Sequence, residues 1–162
     1  MKTSKIIKAL WLCLIFLSCS FIKNPLSKTG TPVAYDTYEG YSYRGQRVNS
    51  DTTFFFITTN KADFDSLYHY IFIHPPYDTI PSADLSTKKV ISLVKYGNDF
   101  YKMEVKDVSL FDGILIVNYT SILTDENMTW VAAIPLILTT GADFKRVVFI
   151  ENGIKIKELV IY

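Results

Sequence analysis

Residues 101–123 read YKMEVKDVSLFDGILIVNYTSIL, and they decide the fold. Tyr101, Met103 and Val105 alternate with Lys102, Glu104 and Lys106, the period-2 pattern of a strand with one face on a core. Asp112-Gly113 is a strong two-residue hairpin signal, because a type I′ turn needs positive φ at both positions. Ile114 to Leu123 then reads as the partner strand. The centre of the chain is therefore predicted to be a long antiparallel hairpin.

Working outward, Lys89 to Tyr96 is a further strand, closed by Gly97-Asn98-Asp99. On the other side Thr124 to Asn127 is a polar loop. Thr129 to Leu138 is apolar, and Pro135 points to an edge strand or a bulge, since proline cannot donate to a ladder. Arg146 to Ile150 and Ile154 to Ile161 form a second hairpin across Glu151-Asn152-Gly153, with Asn-Gly the favoured type I′ pair.

Upstream lies one predicted helix. Asn60 is its N-cap and Asp63 complements the helix dipole in the first turn. Phe64, Leu67, Tyr68, Ile71 and Phe72 recur at steps of three and four, which puts them on one face. His74-Pro75-Pro76 ends it, and Pro75 to Thr87 is a loop. Before the helix, Asp51 to Thr59 holds Phe54, Phe55, Phe56 and Ile57, an aromatic and β-branched run expected to be a well-buried strand. Tyr41 and Tyr43 alternate with Ser42 and Arg44 as a half-exposed strand. The fold class is thus α+β: mainly antiparallel sheet, sandwich-like or curved, packed with one helix.

The first residues have three zones. Lys2, Lys5 and Lys8 form a cationic head, Ala9 to Leu17 is apolar, and Ser18-Cys19-Ser20 follows. This is the pattern of an export signal, and the apolar run is short for a membrane span. Phe16-Leu17-Ser18-Cys19 resembles the lipobox of bacterial lipoproteins, with Phe16 a departure from the usual aliphatic residue. The form Leu-Ser-Cys-Ser is similar to that of Bacteroidetes-type lipoproteins. The resemblance implies a signal peptide over 1–18, acylation of Cys19, and anchorage in the outer membrane. Phe21, Ile22 and Lys23 follow where surface-bound lipoproteins of that group often carry acids, so either face of the membrane is open. Residues 19–32 are the lipidated cysteine and a polar tether, and 33–162 one β-rich domain.

Composition excludes several classes. The full chain carries a net charge of +1, and loss of the leader lysines leaves 14 basic against 16 acidic residues. With no basic run, there is no electrostatic case for a nucleic-acid partner. Cys13 leaves with the leader and Cys19 takes lipid, so neither a thiol nucleophile nor a disulfide is expected. His69 and His74 are five apart, which places them on different sides of a helix, and no metal site is expected. No Gly-x-Ser-x-Gly elbow, phosphate loop or dinucleotide fingerprint occurs, and the scattered carboxylates cannot be paired from sequence. No catalytic residue and no cofactor is assigned.

Tyr35, Tyr38, Tyr41 and Tyr43 have two readings. Tyrosine suits a binding surface, because one ring combines contact area with a polar tip; it equally suits packing along an edge strand. Asp51-Thr52-Thr53, Asp65-Ser66-Leu67 and Asp78-Thr79-Ile80 resemble Bacteroidetes O-glycosylation acceptors, with Thr79 favoured as the one in an exposed loop.

From Phe54 onward the order of elements resembles the C-terminal domain of PrcB-type protease-complex proteins. The resemblance is carried by a strand, the helix from Asn60, a Pro-bearing loop and the step Ala83-Asp84-Leu85-Ser86-Thr87-Lys88-Lys89-Val90-Ile91. The hairpin Tyr101–Val105 to Asp112–Val117, Ala132-Ala133-Ile134-Pro135 and Val147–Ile150 complete it. It implies a non-catalytic module that assembles with or stabilises an envelope protease. A glycan-binding or glycan-hydrolysing lipoprotein and a purely structural lipoprotein are the alternatives.

Replacing Cys19 with alanine should abolish partitioning into the detergent phase on Triton X-114 separation. Unchanged partitioning would remove the anchor.

Overall fold

A computed structural model describes residues 30–48, 51–71 and 79–161. The leader, Cys19, most of the tether, Phe72 and His74 lie outside them. Among the described residues there are eleven strands and two short helices. In chain order these are β1 (Thr31–Pro32), β2 (Asp36–Tyr38), β3 (Tyr41–Tyr43), β4 (Thr52–Thr58), α1 (Lys61–Leu67) and β5 (Tyr68–Tyr70). There follow α2 (Asp84–Thr87), β6 (Lys89–Gly97), β7 (Phe100–Phe111), β8 (Ile114–Asp125), β9 (Ala132–Thr140), β10 (Arg146–Glu151) and β11 (Ile154–Val160).

Both predicted hairpins are present with the predicted turns. Asp112 and Gly113 have φ of 49° and 71°, and Asn152 and Gly153 have 50° and 83°. Positive φ at both central residues is the type I′ signature, whose twist matches that of the flanking strands. Asn152 does more than turn the chain. Its side-chain carbonyl accepts from the Ser121 amide at 3.1 Å and its amide donates to the Ser121 carbonyl at 3.0 Å. The last hairpin is thereby clasped to β8.

The strands form a five-stranded sheet ordered β1-β7-β8-β10-β11 and a four-stranded sheet ordered β2-β9-β6-β4, with β3 and β5 as a separate ribbon. Pairing is antiparallel throughout except that β10 runs parallel to β8. A parallel pair needs a long crossover. Here the chain supplies it by leaving β8, running through β9 in the other sheet, and returning at Lys145 to donate to the Gly113 carbonyl at 2.9 Å. The fold class expected from the sequence, mainly antiparallel β with a small helical component, is what is observed.

Two cores flank the four-stranded sheet. Between the sheets lie Ile91, Leu93, Leu115, Val117, Tyr119, Leu138, Val147 and Phe149. On the opposite face Val90, Val94 and Ile137 meet Phe64, Tyr68, Ile80 and Leu85. The apolar run of β6 follows from this. Odd positions face one core and even positions the other, so both faces must be apolar. The aromatic run of β4 divides the same way: Phe55 and Ile57 pack on the first core, and Phe54 and Phe56 on the second. The expectation of a well-buried β4 is corrected. It is the outer strand of its sheet and its residues up to Ile57 are half-buried.

The helix is also corrected. Asn60 caps it as expected, accepting from the Asp63 amide at 2.9 Å. It stops at Leu67 rather than continuing to Phe72, and Tyr68 is already extended. Tyr68-His69-Tyr70 instead pairs with Tyr43-Ser42-Tyr41 as β5. Aromatic residues favour strands when a partner strand is at hand, and cross-strand ring contacts reward the pairing, with Tyr41 and Tyr70 edge-to-face at 5.6 Å. Phe64 and Tyr68 are buried, but Ile71 is exposed. Downstream, part of the expected loop is α2, which buries Leu85.

Pro135 lies in β9, opposite Val94 of β6. The partner on β9's other side, β2, ends at Tyr38 opposite Ile137. β9 is therefore an interior strand rather than an edge, but at Pro135 no described strand is hydrogen-bonded on the side away from β6, so the missing amide is tolerated. The stretch read as a tether docks at its end: Thr31 and Pro32 pair with Leu110 and Ser109.

Ser92 is a polar group inside the second core, and the Tyr68 hydroxyl meets it at 2.8 Å. Burial pushes the Tyr68 hydroxyl well above the ordinary tyrosine range, against a smaller lowering by the Ser92 bond. Tyr119 is raised too, by burial first and then by Glu151. A folded pKa above the unfolded one means protons are held by the fold and released on unfolding. Stability is therefore retained below about pH 10 and falls above it, by about 1.4 kcal/mol per pH unit for each such tyrosine. Urea titrations at rising alkaline pH should show this fall. Tyr68→Phe should reduce the slope while costing about 1 kcal/mol at neutral pH through the lost Ser92 bond.

Candidate functional site

At the end of the four-stranded sheet where β6 finishes and β9 begins there is an open cleft of about 1390 Å³. Its floor includes Gly97 and Ala132, which are register partners. One wall is the β3–β5 ribbon with the segment Arg44 to Val48. The other is Asn98 with Asn127, Trp130 and Val131.

Three local ties hold these walls. The Asn98 amide donates to Asp51 Oδ1 at 3.0 Å. A Cβ on Gly97 would sit 1.9 Å from that same oxygen, so only glycine permits the approach. The Asn127 amide donates to Asp99 Oδ1 at 3.0 Å and the Met128 amide to the Asn98 carbonyl at 2.8 Å. Asn127 has φ of 51°, a left-handed conformation that asparagine tolerates better than most residues. On the opposite wall Tyr43 stacks on Phe54 at 5.6 Å, and Gly45 leaves room for its ring.

Among the described residues neither Arg44 nor Arg47 has a carboxylate partner, and both are exposed. Trp130 is 56% exposed at the rim. His69 also lines the cleft, and its Nδ1 is buried without a hydrogen-bond partner among the described atoms. The cleft thus presents cations, amides and an open indole.

A smaller cavity of about 190 Å³ lies beside it, reached by Asp51, Asp99, Lys95 and Tyr101. Here the sandwich ends in a polar network. Lys95 pairs with Glu151 at 2.8 Å, with side chains only 14% and 16% exposed. The Tyr119 hydroxyl donates to the other Glu151 oxygen at 2.9 Å. The Lys95 ammonium lies 4.3 Å from the Tyr101 ring centre, a cation–π contact. The carboxylates near both cavities are therefore engaged: Asp51 and Asp99 by backbone amides, Glu151 by Lys95 and Tyr119.

The four tyrosines singled out in the sequence do not make one surface. Tyr35 packs on the core between the sheets, whereas Tyr38, Tyr41 and Tyr43 pack on the other. Tyr41 accepts from the Ile80 amide at 2.9 Å and Tyr38 reaches Asp84 at 3.4 Å. None is fully exposed, and only Tyr43 borders the cleft. Tyr35, Tyr38 and Tyr41 are half-buried, each with its ring packed against an apolar layer. Thr79 is exposed beside buried Ile80. Cys19 lies outside the described residues. Among those residues no group of three metal-ligating side chains converges.

Arg44, Arg47, Asn98, Asn127 and Trp130 were not singled out by sequence patterning. The one available signal was Trp130, a bulky aromatic next to a polar loop. In comparisons with known proteins the chain matches no protein family, no curated protein and no solved structure.

Lys95→Ala should leave the shielded Glu151 carboxylate without its cation and cost about 3 kcal/mol or more. Lys95→Met combined with Glu151→Gln should recover much of that loss. Chemical denaturation of the two variants checks both expectations.

Proposed function

We propose that this protein is a lipid-anchored module of the cell envelope that works by contact with another envelope protein. The leader pattern and Cys19 support anchorage in the outer membrane, with the polar segment after the cysteine as the tether. The near-neutral charge of the mature chain suits a protein partner better than a nucleic acid.

The observation that carries the contact reading is strand β11. It is the outer strand of the five-stranded sheet, and Ile154, Ile156 and Val160 on it are exposed, Ile154 by 66%. Exposed apolar residues concentrated on one edge favour a contact surface. The edge is guarded against indiscriminate strand pairing: Lys155 and Lys157 interrupt it, and the register slips between Phe149 and Ile150. Contact through side chains of a defined partner fits both features. The resemblance of the element order from Phe54 onward to PrcB-type domains supports the same reading, assembly with an envelope protease complex.

A hydrolase reading would need two free carboxylates facing one cleft or a nucleophile beside a base. The engagement of Asp51, Asp99 and Glu151 weighs against it.

Mild cross-linking in intact envelopes, followed by affinity capture, should recover one specific partner protein. Ile154→Lys with Ile156→Lys should abolish that capture while leaving thermal unfolding close to wild type. Absence of any reproducible partner, or capture indifferent to the β11 substitutions, would overturn the proposal.

A further inference from the structure

The cleft beside Gly97 is built from elements that β11 does not share, and its chemistry points to a different kind of ligand. We propose that it holds an acidic oligosaccharide, a chain of sugar units bearing carboxylates.

The shape comes first. Sites for single small molecules run to about 300–1,000 Å³ and enclose most of the ligand. This cleft has about 1390 Å³, larger than that range, and is open to solvent. It suits a chain that enters and leaves rather than one sealed metabolite.

Charge comes second. Arg44 and Arg47 are exposed on one wall with no carboxylate partner among the described residues. A guanidinium offers a planar fork of donors that matches a carboxylate in bidentate fashion. Asp51 is the acid lining the cleft, and its Oδ1 is already taken by the Asn98 amide. Asp51 keeps its charge, but among the described lining residues the two arginines outnumber this one carboxylate, so the cleft is net positive.

The opposite wall supplies what a sugar ring needs. Asn98 and Asn127 each carry a carboxamide that can donate and accept at once, the capacity required by neighbouring hydroxyls. Neither carboxamide has a partner among the described residues, while the backbones behind them are fixed through Asp51, Asp99 and Met128. Trp130 presents an indole 56% exposed at the rim. The C–H face of a pyranose packs on such a π surface, and the indole N–H remains free to reach an oxygen.

An acidic polypeptide would satisfy the arginines equally well, but an extended peptide usually gains affinity by adding a strand to a free sheet edge. At this end the side of β9 away from β6 carries Pro135, which has no amide to donate, and β3 lies against β9. The cleft recognises through side chains, and that favours the saccharide.

Trp130 is the second of two tryptophans in the full chain, Trp11 being the other. Emission of full-length protein in detergent, with that of Trp130→Phe subtracted, therefore isolates the cleft indole. Titration with short oligogalacturonates and hyaluronan oligosaccharides should give a saturable change that weakens as salt is added. Arg44→Gln and Arg47→Gln should each weaken it by about tenfold, the scale of one charge-assisted hydrogen bond, with circular dichroism unchanged. Calorimetry with Trp130→Ala should show weaker binding of the same sugars. No saturable response to either acidic saccharide would overturn the proposal. So would an equal response to neutral cello-oligosaccharides, or binding of a poly-glutamate peptide in their place. None of these outcomes bears on partner capture through β11, so the two proposals fail separately.

Discussion

The structure depends on a sheet that is covered on both faces. β6 runs through the middle of the four-stranded sheet with Ile91 and Leu93 turned toward one core and Val90 and Val94 toward the other, all essentially inaccessible. Each such side chain contributes about 1.5–3 kcal/mol on burial, and the two sets cannot be satisfied by one layer. The five-stranded sheet covers one face. Phe64, Leu85, Ile80 and the β3–β5 ribbon cover the other. The short helices have meaning only in that setting, since seven and four residues are far below the length at which a helix holds itself together.

A doubly covered sheet raises the cost of every polar group within it, and the chain meets that cost by pairing groups between layers. Tyr68 reaches across from the ribbon side to Ser92, and Glu151 reaches from the five-stranded sheet to Lys95. Asn152 ties the final turn to both backbone groups of Ser121. These bonds connect parts of the chain that local sequence leaves independent. They also mark where the cores end: the Lys95–Glu151 pair with Tyr119 and Tyr101 closes the sandwich beside the open cleft.

The two proposed surfaces follow from the ends and edges of the same architecture. A four-stranded sheet whose outer strand β2 is only three residues long leaves the start of β9 with no second hydrogen-bonded strand among the described residues. The walls of the cleft rise around that gap. The five-stranded sheet ends in β11, whose outward apolar residues nothing described covers. One region offers cations, amides and an indole, the other aliphatic side chains beside lysines, so the partners they suit differ in chemistry.

Local rules were enough for the hairpins. Asp112-Gly113 and Asn152-Gly153 impose backbone twist by themselves, and alternation along Tyr101 to Val105 sets the faces. The capping of α1 by Asn60 was equally legible, because a cap is a contact across three residues. The end of that helix was not. Phe64, Leu67, Tyr68 and Ile71 carry a helical period, yet Tyr68–Tyr70 became a strand because Tyr41–Tyr43, far away in sequence, stood ready to pair. The role of the tyrosines and the site itself were hidden for the same reason. Whether a ring packs or contacts a ligand, and whether Arg44 finds a carboxylate or faces an open cleft beside Trp130, depends on which distant segments the folded sheets bring together. Sequence alone determined the turns, strand faces and fold class, since these rest on neighbours; tertiary structure decided the parallel β8–β10 pair, the second core and the cleft, since these rest on long-range register.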